Sequence, residues 1–410
     1  MSNMPNIRKS IKALNKMSNK FSGYSNKHII IGLITLIICL YAIWRLYKWY
    51  SNGNGNGNGN SNGNSNGNSN GNSNGVPNMK RPFLNMWGIR KDGTEFLVNI
   101  VFITHPFTRD ECIIQYNEAK DKGVHFLGLS SYSEYPGPVS NTHDLLHDRN
   151  NDAWTKYDYF ELTRGWLSCF NEENNKKWIK EGFPCVNITE SDFCNYETHL
   201  PDPTVKKEYD FIYICLKDGD KKEGDKDCPS GWQSEIRQWN TVKKLLDIMC
   251  EKFKLKGLLI GRVNCSIPKQ CHQLMELTDF MAYHDFIKQY NRCKFILTAS
   301  FQDCSPRTCS EALCFNLPVL MNKNILGGWH FINEDTGTFY DPDNIDAFSE
   351  TLDKFLKKLN NNEYHSRDWF IKNYGKYNSG KRLLNFVKKV FKEDELNFKY
   401  TEIDYLKPAI

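Results

Sequence analysis

The chain has 410 residues, 40% of them hydrophobic and 25% charged, with a formal net charge of +5. That balance is ordinary for a globular protein and too mild to argue for nucleic-acid binding. Once a polar and apolar leader is set aside, about 330 residues remain, enough for two domains with real cores.

Residues 1–27 form a basic tail carrying Arg8, Lys9, Lys12, Lys16, Lys20 and Lys27. Ile29 to Trp44 (IIIGLITLIICLYAIW) is an uninterrupted apolar run, near the lower limit of about 17 residues for a spanning helix. Arg45 and Lys48 can snorkel from its end, and Trp44, Tyr47, Trp49 and Tyr50 form an interfacial aromatic cluster. The long basic leader and the lack of a small-residue cleavage site argue against a removable signal peptide. Residues 28–50 therefore read as a single-pass signal anchor and the membrane partner of the chain. The heavier Lys/Arg bias on the N-terminal side places the tail in the cytoplasm and the body across the membrane. The expected location is an endomembrane lumen, or a host membrane if the chain is viral.

Ser51 to Gly75 is a Ser/Asn/Gly repeat with neither charge nor apolar side chain. It cannot bury a core, so residues 51–77 are expected to be a flexible tether, spanning roughly 30 Å by the square-root scaling of Gly-rich chains.

The folded body follows as two expected domains, 78–203 and 204–410. In the first, Phe96–Thr104 reads as a strand, Thr108–Lys122 as a helix stopped by Gly123, and Val124–Leu129 as a second strand. Loop chemistry covers Ser130 to Asn151, a helix is expected over Tyr159–Lys180, and Cys185–Ile188 reads as a further strand. The βαβ rhythm makes a parallel sheet the default. A polar, Pro-bearing stretch near Pro201–Lys206 marks the boundary.

The second domain reads as strand Tyr209–Leu216, helix Gln233–Phe253, strand Leu255–Val263 and helix Tyr283–Cys293. Then comes the stretch around which the chain is organised, Phe295 to Tyr340. It contains a strand (Phe295–Thr298), a loop (Ala299–Cys304), a helix opening at Ser305-Pro306 and ending at Asn316, and a strand (Leu317–Met321). A Gly327-Gly328 turn follows. The Ser is expected to cap the helix, whose free amides and partial positive charge suit an anion. Asp303 in the loop and Glu311 in the helix can accept hydrogen bonds from sugar hydroxyls, and the paired glycines leave backbone open to close approach. Read as ordinary structure, the same residues are a common helix start with an Arg307–Glu311 surface pair. An amphipathic helix over Asn344–Leu359 and a basic helical tail from Glu363 to Phe398 complete the pattern.

This stretch resembles the C-terminal signature of retaining GT-B glycosyltransferases, the "group 1" or family 4 class. In that signature an acidic residue, seven others and a Glu precede Ala, a small residue and Pro-Val, then a Gly-Gly loop and an isolated Gly, here Gly337. The resemblance covers roughly Tyr209 to Phe391. Asp303 stands where the family has Glu, and Cys314-Phe315-Asn316-Leu317 replaces its Met-Ala-x-Gly. What the resemblance implies is a pair of Rossmann-like domains facing across a cleft, with a nucleotide-diphosphate-sugar as substrate and no resident cofactor or metal.

Carried over residue by residue, the resemblance gives Asp303 and Glu311 the donor sugar and ribose. Lys217 and Arg237 become the diphosphate clamp, and His105 a residue facing the sugar from the first domain. Ser305, Arg307, Gly327 and Gly328 line the nucleotide site. The acceptor, a glycan, protein or lipid, is left open. The Asn- and Lys-rich, Ala-poor composition fits an AT-rich genome, such as that of a large DNA virus.

His143 and His147 share only i,i+4 spacing, no HExxH or Walker-type motif occurs, and GxSxG spacing appears only inside the Ser/Asn/Gly repeat, as at Gly63–Gly67, where it marks no nucleophile. The 14 cysteines contain no CxxC pair, so zinc is a weak reading, and several sit in apolar runs as small core residues. Asn187-Ile188-Thr189 and Asn264-Cys265-Ser266 are glycosylation sequons if the body is lumenal. The expected function is sugar transfer with retention of configuration. Alternatives are a non-catalytic scaffold keeping the cleft for glycan or nucleotide binding and, third, a sugar-nucleotide epimerase.

The topology has a direct check. In sealed microsomes the body should resist added protease while an N-terminal tag is digested, and the reverse pattern would overturn the orientation.

Overall fold

A computed structural model describes residues 77–137, 156–215, 231–263 and 265–409. The expected anchor at 28–50, the tether, Lys217, His143, His147 and Asn264 lie outside them. Among the described residues no helix is long and apolar enough to cross a membrane.

The first half is built on β1 (Phe83–Arg90), β2 (Glu95–Ile103), α1 (Asp110–Asp121), β3 (His125–Leu129), α2 (Tyr159–Leu162), β4 (Trp166–Ser168), α3 (Glu172–Trp178) and β5 (Cys185–Asn187). Strands β2 to β5 pair in parallel and in sequence order, as the βαβ rhythm predicts. The single helix expected over Tyr159–Lys180 is instead helix, strand and helix. Gly165 lies against Phe386, and the buried triplet after it is pulled into the sheet, so tertiary pairing overrides helical propensity.

The second half comprises β6 (Tyr209–Ile214), α4 (Trp232–Ile236), α5 (Trp239–Glu251), β7 (Gly257–Ile260), β8 (Met275–Thr278), α6 (Tyr283–Asn291), β9 (Cys293–Thr298), α7 (Arg307–Cys314), β10 (Val319–Asn322), β11 (Gly337–Tyr340) and α8 (Ile345–Asn360). Its sheet runs β11-β10-β9-β6-β7-β8, parallel throughout. That is the doubly wound order, with the strand sequence reversing between β6 and β9, where ligands bind on such sheets. Fully buried runs such as Leu258-Leu259-Ile260 fit a sheet covered on both faces. Asn344 caps α8 by accepting from the Ala347 amide at 3.1 Å.

Two departures matter for the site. The helix expected over Gln233–Phe253 is broken: Gln238 adopts a left-handed conformation (φ 54°), so α4 ends at Ile236 and α5 starts afresh. The chain also returns to the first sheet. After α9 (Ser366–Asn373) and α10 (Gly375–Val390), β12 (Ile403–Pro408) pairs antiparallel with β1, and Leu383, Leu384, Phe386 and Val387 of α10 join the first core. Structurally, then, the first half also claims part of the expected 204–410 range. Apolar burial drives that return, with Ile403 and Leu406 inside.

Cys250 and Cys271 form a disulfide between α5 and the turn before β8. Spacing alone gives no hint of it.

Where the halves meet, Asp192 is wholly buried. It accepts from the Thr189 hydroxyl at 3.0 Å and from His330 Nε2 at 3.0 Å, with Arg382 Nη2 at 3.5 Å. Ser379 donates to its carbonyl at 2.7 Å. Asp192→Ala should cost about 3–5 kcal/mol, because the partners are left buried around a void. Urea unfolding of the full chain measures this, and Asp192→Asn, which keeps the Thr189 bond, should cost less.

Candidate active site

The site grows from the loop after β9, at the reversal point of the second sheet. Residues 299–306 leave the strand and deliver the chain to α7. Asn322 Nδ2 donates to the Ala299 carbonyl at 3.0 Å, and the Leu326 amide to the Phe301 carbonyl at 2.9 Å, so the turn after β10 braces the loop.

Two expected site residues come together there. Arg237, brought to the loop by the break between α4 and α5, is ion-paired through Nη1 with Asp303 Oδ2 and donates to Ser300 Oγ at 2.9 Å. The pair is largely buried, with side-chain exposures of 21% and 15%. Asp303 Oδ1 also accepts from the Ser305 amide at 3.2 Å. Ser300 escapes sequence reasoning because nothing in the motif distinguishes it from its neighbours.

Ser305 does not cap the helix. The cap position is Pro306, with no side-chain cap bond, and Ser305 Oγ instead accepts from the Ser191 amide at 2.8 Å, stitching the two halves. The helix ends at Cys314, and Asn316 takes a positive φ of 59° just beyond it.

The two glycines are required by the chain's own packing. A Cβ on Gly327 would lie 1.8 Å from the Cys304 carbonyl oxygen, and one on Gly328 2.2 Å from the Pro306 ring. The close approach they permit is between two stretches of this chain. Gly328 also has a φ of +72°, which a side chain would strain.

Glu311 is 1% exposed, one turn into α7. The Tyr283 hydroxyl donates to Oε1 at 2.7 Å and the Tyr290 hydroxyl to Oε2 at 3.2 Å. Burial pushes the carboxyl up to about 7, against the pull of those hydroxyls and of Arg307. The tyrosines stand at i and i+7 of α6, two turns apart on one face. That spacing is visible in the sequence, but nothing there says which carboxylate it meets. Arg307, half-buried at the start of α7, acts electrostatically on Glu311 and on Glu190 of the first half. The expected Arg307–Glu311 surface pair is thereby replaced by a buried, tyrosine-held carboxylate.

From the first half, Ser131 Oγ donates to Glu190 Oε2 at 2.9 Å, with Arg307 and Asp303 among the charges Glu190 feels. His105 follows β2 and stands edge-on to Tyr132, ring centroids 6.2 Å apart. The arrangement can hold an anion at Arg237, Arg307 and the start of α7. Carboxylates at 190, 303 and 311 can accept hydroxyl hydrogens.

No family model matches the chain, and a search of curated proteins finds no match. Solved structures similar to it include TarM of S. aureus (12% identity, 64% of this chain and 50% of that one, TM-score 0.45). A glycosyltransferase from Rickettsia africae has 16% identity over 72% of this chain and 77% of that one, TM-score 0.48. Sucrose-phosphate synthase from Thermosynechococcus elongatus has 10% identity over 77% and 87%, TM-score 0.49. The chain spans 50% of TarM's length.

Glu311 predicts a pH dependence. Its folded value of about 7 lies above the ordinary 4.5, so its contribution is fully present below pH 4.5 and is lost as pH rises through 7. The stability of Glu311→Gln relative to wild type should improve from pH 4.5 to 8, by on the order of 3 kcal/mol. Denaturant titrations at both pH values check this; a constant difference would contradict it.

Proposed function

We propose that the chain is a GT-B glycosyltransferase that moves a sugar from a nucleotide-diphosphate-sugar to an acceptor, with retention of configuration. The observation carrying this reading is the convergence of Arg237, Asp303 and the start of α7 at the reversal point of a doubly wound sheet. An anionic diphosphate fits the arginines and the free amides, and sugar or ribose hydroxyls fit the carboxylates. Retention and independence from metal come from the family resemblance alone.

Arg237 is the group asked to stabilise the diphosphate as its bond to the sugar breaks. Charge grows on the leaving group, so the attraction strengthens in the transition state and raises kcat. Arg237 pairs with Asp303, so a bound donor must share or exchange that partner. The pairing also suits Asp303 to orient the guanidinium as well as to accept a sugar hydroxyl. Lys217 is proposed as the second clamp residue, and His105 as a contact from the first half.

One observation favours a second reading, a nucleotide- or glycan-binding scaffold without turnover. The carboxylates of Asp303 and Glu311 are both engaged by the chain's own donors.

A donor screen separates the two readings. The full chain is incubated with a panel of sugar nucleotides and release of nucleoside diphosphate is measured. UDP-sugars lead the panel because a TarM variant was solved with UDP. With an active donor, Arg237→Ala should lower kcat by about 10²–10³, and Arg237→Lys should restore part of it by keeping the charge without the fork. Normal saturated turnover in Arg237→Ala would refute the transition-state role, and no turnover with any donor would favour the scaffold.

A further inference from the structure

Residues 194–208 join the two halves and carry His199 past the site helix. His199 Nδ1 lies 2.7 Å from the Asn195 carbonyl and 3.2 Å from the Thr198 hydroxyl. Its Nε2 lies 3.0 Å from the Tyr283 hydroxyl, which is itself 2.7 Å from Glu311 Oε1.

Donor and acceptor rules fix what this row can do. A carbonyl only accepts, so Nδ1 carries a proton, and Nε2 is an acceptor on the neutral ring or a donor on the imidazolium. Tyr283 has one proton to give. If Glu311 is ionised and takes it, the Tyr283 oxygen can only accept from Nε2, so His199 must be charged. If His199 is neutral, Tyr283 donates to Nε2, and Glu311 must be protonated to donate to Tyr283. Both arrangements satisfy all three groups, and both hold the same number of protons. Ionised Glu311 with neutral His199 would instead set lone pairs against each other across 3.0 Å.

We propose that His199 and Tyr283 are positioning residues that form a proton relay to Glu311, setting whether that carboxyl is charged. In the step, the Glu311 O–H bond breaks and its proton passes to the Tyr283 oxygen. The Tyr283 proton moves to His199 Nε2, leaving a carboxylate and an imidazolium. The reverse step restores a neutral pair, and no other reactant is needed.

The surroundings keep the two states close. Glu311 is faced by Tyr283 and Tyr290 of α6 and by Arg307 and Cys314 of its own helix. His199 is faced by Tyr283, by the Phe315 ring at 6.0 Å, and by the charges of Arg307 and Arg367. Burial raises the carboxyl and lowers the imidazole, bringing together two groups that in water titrate far apart. Arg307 favours the carboxylate, while both arginines oppose the imidazolium.

The functional consequence rests on the glycosyltransferase reading. A ligand hydroxyl bonds more strongly to the carboxylate than to the neutral acid, so donor binding would draw the proton onto His199 in the connecting segment.

The test needs no ligand. Histidine ring nitrogens of the full chain are labelled with ¹⁵N, and His199 is assigned by the signal missing in His199→Gln. In Glu311→Gln and in Tyr283→Phe, the His199 midpoint should fall by about one pH unit or more, the coupling at which two sites titrate as a pair. An unchanged midpoint in Tyr283→Phe would overturn the relay. Tyr283 is 53% exposed, so that variant should fold even if Glu311→Gln does not. Failure of this coupling leaves the glycosyltransferase reading standing, whereas a failed donor screen with the coupling intact removes that reading and keeps the relay.

Discussion

The buried carboxylate of Asp192 is the constraint on which the site depends. Without partners, such a charge would be expelled or neutralised. Here it draws donors from separate parts of the chain: Thr189 from its own turn, His330 from the turn after Gly328, and Arg382 from α10. Its neighbour Ser191 reaches Ser305 in the site loop. The positions of the Gly327-Gly328 turn and of the loop carrying Asp303 are therefore set from the first half. A change far from the chemistry at Asp192, or at the Ser379 hydroxyl that holds its backbone, acts on the site through these bonds.

The organisation of the second half was legible because parallel strands buried on both faces leave continuous apolar runs, such as Phe295–Thr298 before the site loop. Asp303, Arg237 and Glu311 were legible as chemistry. Their partners were not. Arg237 meets Asp303 only because Gln238 breaks the helix with a left-handed residue, which no local pattern announces. Tyr283 and Tyr290 meet Glu311 across a helix–helix contact, and β1 meets β12 across most of the folded body. Such pairings are decided by three-dimensional burial, to which local propensity is blind. The helix expected over Tyr159–Lys180 failed for the same reason, since β4 takes its conformation from the strands beside it.

The two glycines mark a close approach of two stretches of this chain. The partners are the Cys304 backbone and the Pro306 ring of the loop that holds Asp303. Bare backbone here lets two loops be packed as one slab, and that slab presents Arg237 and the start of α7. The site's rigidity thus comes from chain touching chain, which leaves the titratable row of Glu311, Tyr283 and His199 as its adjustable part.

The return of β12 to the first sheet sets an order of events during synthesis. The strands of the second sheet all lie between Tyr209 and Tyr340, so that sheet can assemble as soon as those residues have emerged. The first sheet begins earlier in the chain but must wait for Ile403–Pro408 before β1 has both neighbours. Until then one side of β1 offers an unpaired ladder to any passing strand. At ordinary rates of about 5–20 residues per second, that interval lasts on the order of twenty seconds or more after β1 is made. The half that is translated first is thus completed last.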